Sequence, residues 1–479
     1  VGSFYVENFG CRATQADGAA IERQLTERGL SRAGAAVEAE VVVLNTCTVT
    51  ASADQDARAA IRRIHRANPA AQIIVTGCYA QRAPEEISAL EGVALVVGNS
   101  HKHRLAEIAA GSGFVSLGSL ANQSPAHNSL AHDSPDNASP SLSVGQRAPI
   151  VVEDIFAHTE LLAAPVFDSD NEKTRPNLKV QDGCNNRCSF CVIPFVRGRS
   201  RSLPLGEVLR NVDQLVANGY QELVLSGINL GRWGRELSRD LSRDLSPAVD
   251  SDTSVLRTRF VDLLQAILER TRVPLLRISS VEPMDWSNEL IALVAASPRV
   301  AKHAHVPLQS GSDRILRLMH RRYRPWHYED RIQRIHAAMP QAAIGADVMV
   351  GFPGESEEDF EQTRAFIDRL PFTYLHVFTY SSRPGTASAL MPAHVPVHQA
   401  RERNRILREL AACKKRNFQE QFVGKTLRAL TLTQISEGRT EALTDNYQKL
   451  WIEGSLPANR MLTARIHSIE GEALVGKAE

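Results

Sequence analysis

Cys184, Cys188 and Cys191 place three of the chain's seven cysteines on one short stretch, spaced C-x3-C-x2-C. Three closely spaced thiolates suit a soft metal centre and leave one coordination position of a tetrahedral or cuboidal site unfilled. Structural zinc usually takes four protein ligands, and no fourth Cys or His stands at zinc spacing nearby. A [4Fe-4S] cluster with one open iron is therefore the reading. Three more cysteines share a different feature: Cys11, Cys47 and Cys78 each come at the end of an apolar strand-like run, Gly2 to Phe9, Val41 to Leu44 and Ile73 to Val75. If those runs are parallel strands, their carboxyl ends lie along one edge of a sheet, where such folds bind ligands. Any one of them alone reads as a small buried hydrophobe. Three in equivalent positions read as a second three-thiolate site. Cys413, on a basic helical stretch without partners, reads as structural.

Other residues gather around the first triplet in the pattern expected of a pocket. Ser226-Gly227, Glu282, Gln309-Ser310 and Gly351-Phe352 each follow a predicted strand. Each is ordinary turn chemistry by itself; at the ends of successive strands they outline a small-molecule pocket over the cluster. Arg197, Arg199 and Arg201 follow the cysteine loop, and Arg314, Arg317, Arg321, Arg322 and Arg324 make a second basic stretch. A cationic rim of this kind suits a phosphate-backbone substrate. Residues 399–422 form a basic helix carrying Lys414, Lys415 and Arg416, open to two readings, a solvated face or an RNA contact.

The elements that must position these groups follow from hydrophobic patterning. Residues 1–110 alternate strands and helices, which predicts a doubly wound parallel sheet. Residues 111–172 are a linker or insertion, rich in Asn, Ser, Pro, Ala and His as far as Val151; His127 and His132 read as solvated loop residues. From 173 to 398 six β/α units predict an open partial TIM barrel, with the Cys184 loop at the carboxyl end of the first strand. Residues 236–258, with a doubled Leu-Ser-Arg-Asp, read as a loop expansion. Short strands from 423 to 479 predict a small β-barrel of the oligonucleotide-binding size class. A net charge of +1 excludes a global field for polyanions, so RNA must be met by local patches. Val1 to Gly10 shows no signal-peptide pattern and no run of 18 apolar residues exists, so a cytoplasmic protein without a membrane span is expected.

With these residues in view, the chain resembles the radical S-adenosylmethionine methylthiotransferases. Cys184, Cys188 and Cys191 with Phe190 look like the radical SAM motif, in which the aromatic before the last Cys packs near the adenine. Cys11, Cys47 and Cys78 look like the auxiliary-cluster set, and the terminal barrel looks like the TRAM domain. The stretches Ile193 to Ser202, Ile278 to Pro283 and His376 to Ser381 are most similar to the branch acting on N6-threonylcarbamoyladenosine, at position 37 of tRNA. The branches acting on isopentenyladenosine and on a ribosomal-protein aspartate are the neighbouring alternatives. An iron–sulfur RNA-binding protein without turnover is the alternative of another class. The resemblance implies two [4Fe-4S] clusters and S-adenosyl-L-methionine as both radical source and methyl donor. It also implies the tRNA anticodon stem-loop as substrate, an electron donor such as flavodoxin or ferredoxin, and a monomer. Its reaction would insert a methylthio group at C2 of the adenine.

Overall fold

A computed structural model describes residues 2–111, 147–158, 161, 174–237 and 258–479. The chain divides into two compact units, residues 1–162 with Phe195–Arg197, and 163–194 with 198–479.

In the first unit, six strands pair in the order β2-β1-β3-β4-β5-β6. They are β1 (Ser3–Asn8), β2 (Ser31–Arg32), β3 (Val41–Thr46), β4 (Gln72–Gly77), β5 (Val93–Gly98) and β6 (Ile150–Val151), all parallel. The continuous apolar runs of β3 to β5 have the composition of strands covered on both faces. One core joins Val42, Leu44, Ile73 and Val75 to Ala57, Ile61 and Ile64 of helix Ala51–Ala67. The opposite face joins Val41, Val43 and Ile74 to Ile21 and Leu25 of helix Arg12–Glu27 and to Leu105 and Ala106. The sheet is thus doubly wound, as predicted. Ile150–Val151 depart from the expectation of a linker: they form β6, the edge strand. The rest of the expected linker, with His127 and His132, and nearly all of the 236–258 expansion lie outside the described residues.

The second unit contains an arc of six parallel strands in chain order, β7 (Asn177–Asp182), β9 (Leu223–Gly227), β10 (Leu276–Ile278), β11 (His303–His305), β12 (Ala343–Val350) and β13 (Tyr374–Thr379). The short β8 (Arg201–Ser202) pairs antiparallel on the free edge of β7. β10 and β11 are joined by isolated parallel bridges, Leu276 to Val300 and Ser280 to His305. Among the described residues β13 does not pair with β7, so the arc stays open at one side, as the six-unit pattern predicted. The helix Val397–Glu420 packs on β13, and a five-stranded barrel follows, closed in the order β14-β15-β16-β18-β17 (Thr426–Ser436, Arg439–Thr444, Lys449–Glu453, Ala473–Ala478, Met461–Glu470). Its inward-facing Leu427, Ala429, Ala442, Leu450, Ile452, Ala464, Ile466 and Leu474 form one core with Phe418 and Phe422.

Candidate functional site: two three-thiol loops

The loop after β7 is held rigidly by Gln181, which is buried at the strand end. Its Nε2 donates to the carbonyls of Asp182 and Gly183 and to Ser200 Oγ, while its Oε1 accepts from Asn229 N at 2.6 Å. One side chain therefore ties the cysteine loop to the loop after β9. Cys184 Sγ receives hydrogen bonds from Asn186 N at 3.4 Å and Asn229 Nδ2 at 3.5 Å. Cys188 Sγ accepts from Arg321 NH1 at 3.2 Å. Arg321 also pairs with Glu282 and donates through Nε to Tyr323 Oη at 3.2 Å. Burial, followed by the neighbouring Cys188, pushes the Cys191 thiol up to about 12. Burial likewise raises Cys184, against the Asn186 amide that lowers it. Thiols held this high make poor free nucleophiles and need a metal cation to ionise them. Ser226 Oγ, Asn229 Oδ1 and Ser279 Oγ, at the ends of β9 and β10, are buried with no hydrogen-bond partner. Converging thiols with a polar rim of unused capacity fit a metal–sulfur group beside a small polar ligand.

The first unit places Cys11, Cys47 and Cys78 after three adjacent strands, β1, β3 and β4. β2 lies on the other side of β1, so strand order reverses between β1 and β3, and the carboxyl end of such a reversal is where open α/β sheets form their ligand crevice. Gly10, at φ +96, lies so close that a Cβ on it would come 2.8 Å from Cys47 Sγ. Burial, then the Cys78 thiol, raise Cys47 to about 11, with Cys11 adding to the rise and Arg197 opposing it. A hydrogen-bonded chain runs beneath the thiols. Asn99 Nδ2 reaches Cys78 Sγ at 3.6 Å, Lys102 Nζ donates to Asn99 Oδ1 at 2.7 Å and to Asp17 Oδ2 at 2.5 Å, and Arg197 NH2 donates to Asp17 at 3.0 Å. Thr14 Oγ1 lies 3.5 Å from both Arg197 NH2 and Cys11 Sγ. Two cations around one carboxylate leave a net positive charge, which suits a thiolate-bound anionic cluster. These residues fit a second metal–sulfur group.

The remaining expectations divide. Phe190 meets Phe352 edge to face with ring centroids 6.4 Å apart, so those two come together. Ser226 and Gly227 are the last two residues of β9 and Glu282 follows β10, so all three stand at the mouth. Gln309 holds a left-handed backbone at φ 67 and bonds Asp347 O and Met349 N. Ser310 is spent internally: its hydroxyl meets Thr363 Oγ1 and accepts from Ser312 N. Gly351 N donates to Glu355, whose carboxylate is paired with buried Arg403. Two of the expected RNA contacts need correction. Arg197 and Arg321 are 2% and 7% exposed, and their guanidinium groups serve Asp17 and the Cys188 thiol. The basic rim is also largely neutralised, because Arg314 pairs with Asp359, and Arg317 and Arg324 with Asp313. Arg199 and Arg322 are exposed and Arg201 half-buried. Lys415 pairs with Glu472, Arg416 with Glu420, and Lys414 donates to Asp368 O. Asn99, Lys102 and Asp17 carried no sequence signal, because Asn99 reaches Cys78 from another loop and Lys102 and Asp17 act through it and Arg197.

Residues 178–367 match the model of the radical SAM superfamily, and residues 3–98 match that of the uncharacterized protein family UPF0004. The arc of strands and its cysteine loop thus define a radical SAM protein. Solved structures agree at the level of the fold: the radical S-adenosylmethionine methyltransferase TsrM from Kitasatospora setae superposes with TM-score 0.54 at 16% identity, over 81% of this chain and 77% of that one. The threonylcarbamoyladenosine tRNA methylthiotransferase MtaB of Aquifex aeolicus is 35% identical over 96% of this chain and 99% of its own length, and that of Bacillus subtilis 34% over 93% and 89%. The tRNA-2-methylthio-N(6)-dimethylallyladenosine synthase of Syntrophobacter fumaroxidans is 30% identical over 98% and 95%. The chain belongs to the family of threonylcarbamoyladenosine tRNA methylthiotransferases.

Proposed function

We propose that this protein inserts a methylthio group at C2 of N6-threonylcarbamoyladenosine at position 37 of tRNA. The observation that carries the reading is the pair of three-thiol sites, each at the carboxyl edge of a parallel sheet, in a chain that matches such enzymes along nearly its whole length. Cys184, Cys188 and Cys191 would hold one [4Fe-4S] cluster, and Cys11, Cys47 and Cys78 the other. With S-adenosylmethionine bound, the cluster held by Cys184, Cys188 and Cys191 would supply radical chemistry able to remove hydrogen from an unactivated carbon, chemistry that belongs to the cofactor. The protein's own part is placement and shielding. Asn229 and Arg321 hold hydrogen-bonded positions on Cys184 and Cys188, Phe190 and Phe352 make an aromatic wall, Ser226 and Ser279 offer hydroxyls to the ligand, and Glu282, paired with Arg321, offers the remaining capacity of its carboxylate. Exposed Arg199 and Arg322, the helix Val397–Glu420 and the terminal barrel would grip the anticodon stem-loop while the base leaves its stack. No helix among the described residues is long and apolar enough to cross a membrane. The cytoplasm as location, a monomeric state and reduction by a flavodoxin or ferredoxin belong to the same proposal.

Mass spectrometry of tRNA nucleosides from cells with and without the gene tests the reaction. Loss of 2-methylthio-N6-threonylcarbamoyladenosine on deletion is expected; an unchanged level would overturn the assignment. Cys47→Ala should keep 5′-deoxyadenosine formation and lose methylthiolation, whereas loss of cleavage with the Cys184 cluster intact would refute the division of labour.

A further inference from the structure

The described residues contain one cluster of metal- or ligand-binding character apart from the cysteines. His305, Asp347 and His376 stand on the consecutive strands β11, β12 and β13, with their ligating atoms all within 4.8 Å of one another. Register explains the convergence: His305 pairs with Gly345, Gly345 with Tyr374, and Asp347 with His376, so these side chains share a face. The opposite face carries Ile344, Ala346 and Val348, all fully buried. The polar face is therefore the lumen of the open arc. Tyr374 leans across it because Gly345 has no side chain; a Cβ there would lie 1.9 Å from the tyrosine ring. The ring centroids of His305 and His376 are 5.4 Å apart, and both sit within 6 Å of Tyr374.

A polar cluster built only to hold the fold would satisfy itself. This one does not. Ser280 Oγ meets His305 Nδ1 at 2.7 Å, but His305 Nε2 is buried and makes no hydrogen bond, although Asp347 Oδ1 lies 3.3 Å away. His376 is exposed on this face; partial burial, then His305, lower its pKa against Asp347, which favours the neutral imidazole with its one donor and one acceptor. On the side away from the mouth, Tyr374 and His376 also border a cavity of about 570 Å³ bounded by Arg408 of helix Val397–Glu420 and by Tyr447 and Lys449 of the terminal barrel, so the lumen is not filled beneath them.

We propose that His305, Asp347 and His376, facing the lumen of the radical SAM arc, read the polar substituent on N6 of the target adenine. This rests on the function proposed above and names the part of the site that chooses the substrate. A threonylcarbamoyl group brings a hydroxyl and urea N–H groups, which can donate to Asp347, and carbonyl and carboxylate oxygens, which can accept from imidazole N–H. An isopentenyl group is hydrocarbon and would leave all three side chains desolvated and unmatched, the situation in which a hydrogen-bonding site rejects an analogue most strongly. His376 lies three residues before the end of β13, about 10 Å below the strand's carboxyl end. A purine at the mouth with its substituent pointing down the lumen spans that depth and leaves C2 near the cysteine loop.

The test uses the holoenzyme with both clusters and three anticodon stem-loop RNAs that differ only at the target base, bearing N6-threonylcarbamoyladenosine, adenosine or N6-isopentenyladenosine. Wild type should bind the first at least tenfold more tightly than the other two. Asp347→Leu and His376→Leu should cut that ratio about tenfold, while His376→Gln, which keeps a donor and an acceptor, retains most of it. A variant that merely folds poorly weakens all three RNAs alike and leaves the ratio intact. Leucine variants that keep the wild-type ratio overturn the inference while the proposed function stands. A wild-type enzyme that does not methylthiolate the first RNA overturns both.

Discussion

Arg321 shows how a single side chain can carry structure and chemistry together. It is buried, and it contacts a cysteine thiol, a carboxylate and a phenol within one guanidinium. Its stretch of sequence is crowded with arginines, so composition pointed to an RNA surface, and nothing local distinguishes it from exposed Arg322. What separates them is contact with a cysteine 133 positions earlier in the chain. Hydrogen bonds to cluster sulfurs favour the reduced state. Arg321→Met should therefore lower the midpoint potential of the cluster proposed on Cys184, Cys188 and Cys191 by on the order of 60 mV, the equivalent of tenfold in a one-electron equilibrium, as read by electron paramagnetic resonance titration. An unchanged potential with the cluster fully assembled would show the contact to be inert. Arg197 repeats the lesson, since its neighbours in sequence are surface arginines while its partner, Asp17, is in another helix.

At the scale of elements, strands were the most legible feature of the sequence. Runs such as Val41 to Leu44 and Ile73 to Val75 are buried on both faces, and their apolarity follows from that burial. The two-residue strands β2 and β6 were not legible, because so short an edge needs no distinctive composition. The helix Cys78–Arg82 was also unseen, being shorter than the window over which helical periodicity shows. Helix Glu357–Arg369 is capped by Ser356, whose side chain and that of Asp359 three residues on form a full capping box. Burial raises the Asp359 carboxyl, but hydrogen bonds from Arg314, Ser312 and Ser356 outweigh it and hold the pKa well below the usual carboxylate range. A depressed folded pKa contributes stability above the unfolded value near 4, and that stability is lost as pH falls below it. Asp359→Ala should cost about 1–3 kcal/mol at neutral pH and flatten the acid limb of the stability profile, measured by urea unfolding between pH 3 and 7.

At the scale of the second unit, the terminal barrel is fastened to the amino-terminal ends of the core strands. Arg277, on β10, pairs with Glu222 at 2.7 Å and donates to the carbonyls of Thr444 and Asp445, each at 3.1 Å. Arg428 reaches the carbonyls of Pro274 and Pro298, and Asn446 that of Gln341. Glu222→Gln would leave the Arg277 charge buried without its counter-ion, a loss of about 3–5 kcal/mol. The expected result is an earlier thermal transition in calorimetry; an unmoved transition would mean that Arg428 and Asn446 suffice.

The cysteine loop, in contrast, sits at the carboxyl ends of the same strands. β7 and β13, six residues each, make the core about 20 Å deep between the two. RNA gripped by the terminal barrel would have to run that depth before a base could enter the mouth. The enzyme would then act as a ruler as well as a reader, because a nucleotide one step nearer or farther along the loop would stop short of the thiols or pass beyond them.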